Sequence, residues 1–210
     1  MTGALPTWRF SSPYMLAAAS RWTLLAKGPS FDAYERDGFS KVLGLNEVCL
    51  ATYTNITHII DIEILESIAE SVPYKTDYLI IPATPHEAMK KGKHSVAHHI
   101  QRMPDIQEMV REGRVLTYDL KLGEPISGTH CVYARHCSSE AAFSLLGTAG
   151  VKDITTYGVD GPTPELYSKT FSDTRVIHTR RETLEKQDKA LKETCKAYGI
   201  HWTKAPYKKD

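Results

Sequence analysis

The chain has 210 residues, a formal net charge of +1, and 41% hydrophobic and 24% charged residues. That length suits one domain with a sizeable core and room for a small lid, and the ordinary composition excludes a disordered or fibrous chain. The near-neutral balance excludes a bulk field built for nucleic acid or an acidic membrane surface, and no apolar stretch is long enough to span a bilayer.

Residues 1–20 read as an N-terminal extension. Pro6, Pro13 and the short run Met15–Ala19 make a poor signal peptide. Trp22–Ala26 reads as a first strand, broken by the turn Lys27-Gly28-Pro29-Ser30. Gly lets a backbone approach a ligand closely, Pro fixes the turn, and Ser30 is placed to cap the segment that follows. Lys41–Leu45 is a second strand ending at Asn46, and Thr57–Ile60 a third ending at Asp61. Ile62–Ser71 has helical spacing, Asp77–Ile81 is a fourth strand stopped by Pro82, and His94–Arg111 is helical on either side of Pro104. Val115–Tyr118 and Cys131–Ala134 read as short strands. Ser139–Leu146 is a helix apolar on nearly every side, with Ser138 as its N-cap and Gly150 as its stop. Asp153–Tyr157 is a strand leading into the turn Gly158–Gly161. Thr179–Tyr198 is an amphipathic helix, and Ile200–Trp202 is a last strand. This alternation predicts an α/β domain over residues 21–206, a Rossmann-like, mostly parallel sheet with helices on both faces, and a tail at 207–210. Ser30, Asn46, Asp61 and Asp160 stand at strand ends that converge on one cleft in this fold class.

Other chemistries find little support. Cys49, Cys131, Cys137 and Cys195 form no CxxC pair, so reduced thiols and a cytoplasmic setting are expected. No acidic Asp-x-Asp pair appears. His94 and His98 stand four apart on one helix face, and His130-Cys131 with His136-Cys137 make a quartet whose neighbouring members strand alternation throws to opposite faces; neither is read as a zinc site. The expected metal set is therefore none. No G-x-S-x-G marks a nucleophilic serine, and no cysteine sits in a recognisable activating context. Lys90–Lys93, Arg180–Arg181 and Lys208–Lys209 are basic patches that permit nucleic acid as a partner without demanding it.

Four stretches together resemble the bacterial sialyltransferases that act on lipooligosaccharides, and the wider relatives of that fold. They are Leu24–Ser30, Val42–Asn46 with Ile59-Ile60-Asp61, Arg135–Ser138 with Gly150–Asp160, and His178 ahead of the long last helix. The likeness spans roughly residues 22–206 and implies a nucleotide-sugar-dependent glycosyltransferase with no cofactor beyond the donor and no metal. It implies His178 and Arg135 as catalytic residues, and a nucleotide site at Lys27, Gly28, Pro29, Ser30, Asn46, Asp61, Ser138, Ser139, Gly158, Asp160 and Tyr167. His178 precedes the capping box Thr179–Glu182, where the positive helix end disfavours a protonated imidazole and suits a general base. Ser138 opens a helix whose amides favour an anion, and Arg135 is placed to add a bidentate phosphate contact. The chain departs from the family in three ways. Lys27 replaces a common Asn, and Pro162 stands where the first of two phosphate-holding tyrosines belongs, leaving Tyr167. The acceptor-holding segment is not recognisable. A glycan or other hydroxyl acceptor, and a homo-oligomer, are expected partners. The alternatives are a magnesium- and ATP-dependent pterin diphosphokinase, transfer onto modified nucleic-acid bases, and a non-catalytic nucleotide-binding module.

Overall fold

A computed structural model describes residues 21–84, 86, 95–129, 131–163, 165, 167–171 and 181–207. Among these residues nine strands follow in chain order: β1 (Trp22–Leu25), β2 (Lys41–Leu45), β3 (Thr54–His58), β4 (Thr76–Pro82), β5 (Val115–Tyr118), β6 (Leu120–Leu122), β7 (Val132–Ala134), β8 (Asp153–Tyr157) and β9 (His201–Lys204). The helices are α1 (Val48–Ala51), α2 (Ile62–Ile68), α3 (Val96–Ile100), α4 (Pro104–Arg111), α5 (Ser138–Thr148) and α6 (Arg181–Tyr198). Seven strands make one sheet in the order β5-β4-β3-β2-β1-β8-β9, and β6 and β7 form a separate pair. Every pairing within the large sheet is parallel, as the alternating pattern predicts.

Burial on both faces explains the strand sequences. All four residues of β1 are buried, as expected for a strand sandwiched between helical layers. Leu24, Leu43 and Ile80 join one core with Phe143 and Leu145 of α5 and Leu191 of α6. Leu79 and Ile81 point the other way, into a second core with Leu65 of α2 and Met109 of α4. Helix α5 is buried continuously over residues 140–147, which explains why its sequence shows no polar stripe. Its buried Ser144 hydroxyl accepts the Tyr133 N–H at 2.9 Å and lies 3.1 Å from the Tyr198 hydroxyl, tying α5 to β7 and α6.

Several expected boundaries shift. The third strand covers Thr54–His58 rather than Thr57–Ile60, because its ladder begins where Thr54 pairs with Thr76 and ends at His58, paired with Leu45 and Ile80. Ile59 and Ile60 lie past its end, although Ile59 N–H still donates to Ile80 O at 3.1 Å. The last strand runs two residues further, to Lys204. Ser138 is the first residue of α5, not its cap. Cys137 holds the capping position in extended conformation, without a side-chain cap bond. Helix α1 and strand β6 have no counterpart in the sequence reading. No helix among the described residues is long and apolar enough to cross a membrane.

Candidate functional site

Strand β1 is interior, and the chain changes direction at its edge. From β1 the order runs outward through β2 to β5, then the chain returns to place β8 on β1's other side. This β1/β8 border is a topological switch point, where the carboxyl ends of parallel strands leave a crevice. A cleft of about 200 Å³ opens there. It is lined by Ala26, Lys27, Gly28 and Pro29 after β1 and by Asn46 after β2. Gly158, Asp160 and Gly161 line it after β8, and Cys137, Ser138 and Ser139 at the start of α5. Tyr167 and residues Gln187 and Asp188 of α6 complete its wall. A second hollow of about 510 Å³ lies where α5 and α6 end. It is larger, but it stands away from the strand ends where polar groups converge.

Its floor is pinned by bonds between distant residues. Ala26 N–H donates to Tyr157 O at 2.8 Å and Gly28 N–H to Gly158 O at 3.0 Å. The Gly158 N–H donates to the Ser30 hydroxyl oxygen at 2.7 Å, and Ser30 N–H donates to Asp160 Oδ2 at 2.9 Å. Gly158 has φ +76°, and a side chain there would meet Ala26 O at 2.1 Å. Asp32 holds the segment that carries Tyr167: it accepts from the Ser168 hydroxyl at 2.8 Å, Lys169 N–H at 3.0 Å and the Thr170 hydroxyl at 2.8 Å. Burial alone raises the Asp32 carboxyl, but these hydrogen bonds outweigh it and leave it below its ordinary range.

Charge around the cleft is closely matched. Lys27 Nζ donates to Glu47 Oε2 at 3.0 Å and stands 5.9 Å from the centroid of the Tyr167 ring. Asp188 bridges Lys192, at 2.7 Å, and Lys204. Burial works to raise the Asp188 carboxyl, yet both lysines together hold it below its usual range. Asn46 is the one non-glycine residue at positive φ among those described, at φ 55°. Its Oδ1 is buried and has no hydrogen-bond partner among the described residues.

Three expected site residues have other work. Ser30 is buried, and instead of capping the following turn its hydroxyl fixes Gly158. Arg135, expected to grip a phosphate, does not line the cleft. Its Nε donates to the fully buried Glu140 at 3.0 Å and its Nη1 pairs with Glu193 at 2.8 Å. Glu140 also accepts Arg135 N–H at 2.7 Å and His136 N–H at 3.0 Å, so this carboxylate fixes the chain entering α5. Asp61 lies beyond β3, outside the cleft lining, with Oδ1 at 3.5 Å from His86 Nδ1. His178 and its capping box at Thr179 lie outside the described residues, as do His94, His130, Lys90–Lys93, Arg180 and Lys208–Lys209. Among the described residues no three metal-ligating side chains converge, and all four cysteines are free.

Sequence reading passed over Glu47. The signal was present: an acidic residue two positions past the second strand stands beside the same row of strand ends as Lys27, and the two side chains pair at 3.0 Å.

Neither a family model nor a curated protein matches the chain. Among solved structures, the monofunctional α-2,3-sialyltransferase Cst-I from Campylobacter jejuni matches with a TM-score of 0.50 and 11% identity, covering 89% of this chain and 76% of that one. The Campylobacter sialyltransferase Cst-II, in complex with a trisaccharide acceptor and CMP, matches with a TM-score of 0.43 and 14% identity over 88% of this chain and 80% of that one. The first of these likenesses shows a sialyltransferase-like fold.

Proposed function

We propose that the chain is a glycosyltransferase that moves a sugar from a nucleotide-sugar donor to a hydroxyl acceptor. One observation carries this reading: the glycine-proline corner after β1 and the start of α5 face each other across one cleft at the switch point. The sialyltransferase-like fold supports it. Ser138 and Ser139 present a helix N-terminus suited to the departing phosphate. The buried Oδ1 of Asn46 suits an N–H or O–H of the nucleoside. Asp160 and Gly158 shape the floor, while Arg135 and Glu140 position α5 and do not touch the donor. In the reaction the acceptor oxygen attacks the anomeric carbon, its proton passes to His178, and the nucleotide phosphate leaves with the bonding pair. The transfer runs without a metal ion.

A thermal-shift screen against nucleotides and nucleotide sugars tests the binding claim. At about 100 times its Kd a ligand adds about 3 kcal/mol of stability, which is about 5–10 °C in Tm for a chain of this size. A screen with no rise for any member overturns the reading. The His178→Ala variant is expected to lose about a hundredfold or more in turnover while keeping the nucleotide-induced rise. Unchanged turnover removes His178 from the mechanism, and full activity in excess chelator is the matching result for metal-free transfer.

A further inference from the structure

We propose that Lys27 is the phosphate-recognising cation of this cleft and that Glu47 masks it until an anionic ligand arrives. This rests on the nucleotide reading above and adds to it a residue and a sign of coupling. Lys27 lines the cleft that Tyr167 and the start of α5 also line, so a phosphate seated at the α5 amides shares its space with the Lys27 ammonium. The Lys27 backbone is held, since its carbonyl accepts Ser168 N–H at 2.8 Å. Its side chain is a point charge on a flexible stem, able to re-aim without moving that backbone.

The pair is made for exchange rather than for support. The Lys27 and Glu47 side chains are 17% and 13% exposed, so solvent screens them less than a surface pair. Only Oε2 of Glu47 holds the lysine, and Oε1 carries no hydrogen bond among the described residues. A phosphate brings more charge and three acceptor oxygens, enough to displace a single carboxylate contact. Once the lysine has turned to the phosphate, Glu47 remains as a like charge beside the ligand. Glu47 therefore lowers the affinity for anions that Lys27 provides, and the two side chains act with opposite sign.

Calorimetric titration of the four ribonucleoside 5′-monophosphates and the four nucleosides, on three proteins, reads that sign. Glu47→Gln is expected to bind the monophosphate preferred by the unaltered protein about 3- to 10-fold tighter, with the matching nucleoside unchanged. The double variant Lys27→Met/Glu47→Gln, which leaves no unpaired charge behind, is expected to lose most of the advantage of monophosphate over nucleoside. Glu47→Gln binding equally or more weakly makes the pair a mere strut and overturns the inference alone. A retained monophosphate advantage in the folded double variant does the same. If the double variant fails to unfold cooperatively on heating, the Glu47→Gln comparison decides by itself. An unaltered protein that binds no monophosphate overturns the cleft reading and this inference with it.

Discussion

Gly158→Ala is expected to cost about 2–5 kcal/mol and to abolish ligand binding in the cleft. Two effects add. A residue with a Cβ at φ +76° meets the left-handed penalty, and that Cβ would lie 2.1 Å from Ala26 O and 2.9 Å from Gly28 N. Both are backbone atoms of the opposite cleft wall, so relief requires β1 and β8 to separate at their carboxyl ends. The rupture would also break the bond of Gly158 N–H to the Ser30 hydroxyl. Thermal unfolding should show Tm lower by about 5–15 °C. Gly150→Ala is the control. Its φ is +87°, but a Cβ there meets nothing within 4 Å, so only the conformational penalty applies, about 1 kcal/mol. Equal losses in the two variants would refute the clash as the cause.

Acid should weaken the fold through His58 well before the carboxylates titrate. His58 is fully buried, its Nε2 lies 2.7 Å from the Tyr118 hydroxyl, and its Nδ1 has no partner among the described residues. Burial lowers its pKa from 6.5 to about 3. The same burial pushes the Tyr118 hydroxyl well up, with the Asp61 charge adding to it. In the unfolded chain His58 takes up a proton as pH falls below 6.5, while the folded protein refuses it until about 3. Stability therefore drops with falling pH across that window, and there is no contribution from this group above it. From pH 6.5 to 4.5 the loss is about 2 kcal/mol. Asp32, Asp37 and Asp188, all held below their ordinary range, add their own losses only at lower pH. Denaturant titrations at several pH values check this. His58→Gln, which removes the titrating ring, should flatten the curve between pH 6.5 and 4.5, and an unchanged slope would clear His58 of the effect.

What the sequence conveyed depended on how local each cause is. Lys41–Leu45, Val115–Tyr118 and Asp153–Tyr157 match their strands because buried parallel strands are short apolar or β-branched runs with turn residues beside them. The grouping of Lys27–Pro29, Asn46, Ser138, Ser139, Gly158, Asp160 and Tyr167 around one crevice was legible from fold class and strand ends together. The use of Ser30 was not, because the partners that occupy it lie about 130 positions away. Arg135 misled for another reason. Glu140 stands five residues on and looks like a surface helix residue, yet it is fully buried and accepts the Arg135 Nε–H, while Glu193 of α6 takes Nη1. Ile59 and Ile60 drew the third strand too far, since apolar content marks burial and not the end of a hydrogen-bond ladder.

The position of β1 has a further consequence for how the protein comes into being. Its second neighbour, β8, is encoded some 130 residues later, so a nascent chain leaving the ribosome carries that strand with one bare flank through most of synthesis. Contacts of such long sequence separation form slowly and leave apolar edges open to wrong partners meanwhile. Much of the crevice floor, Gly158 and Asp160 included, belongs to that late segment, so the cleft takes shape only once β8 has been made and has docked on β1.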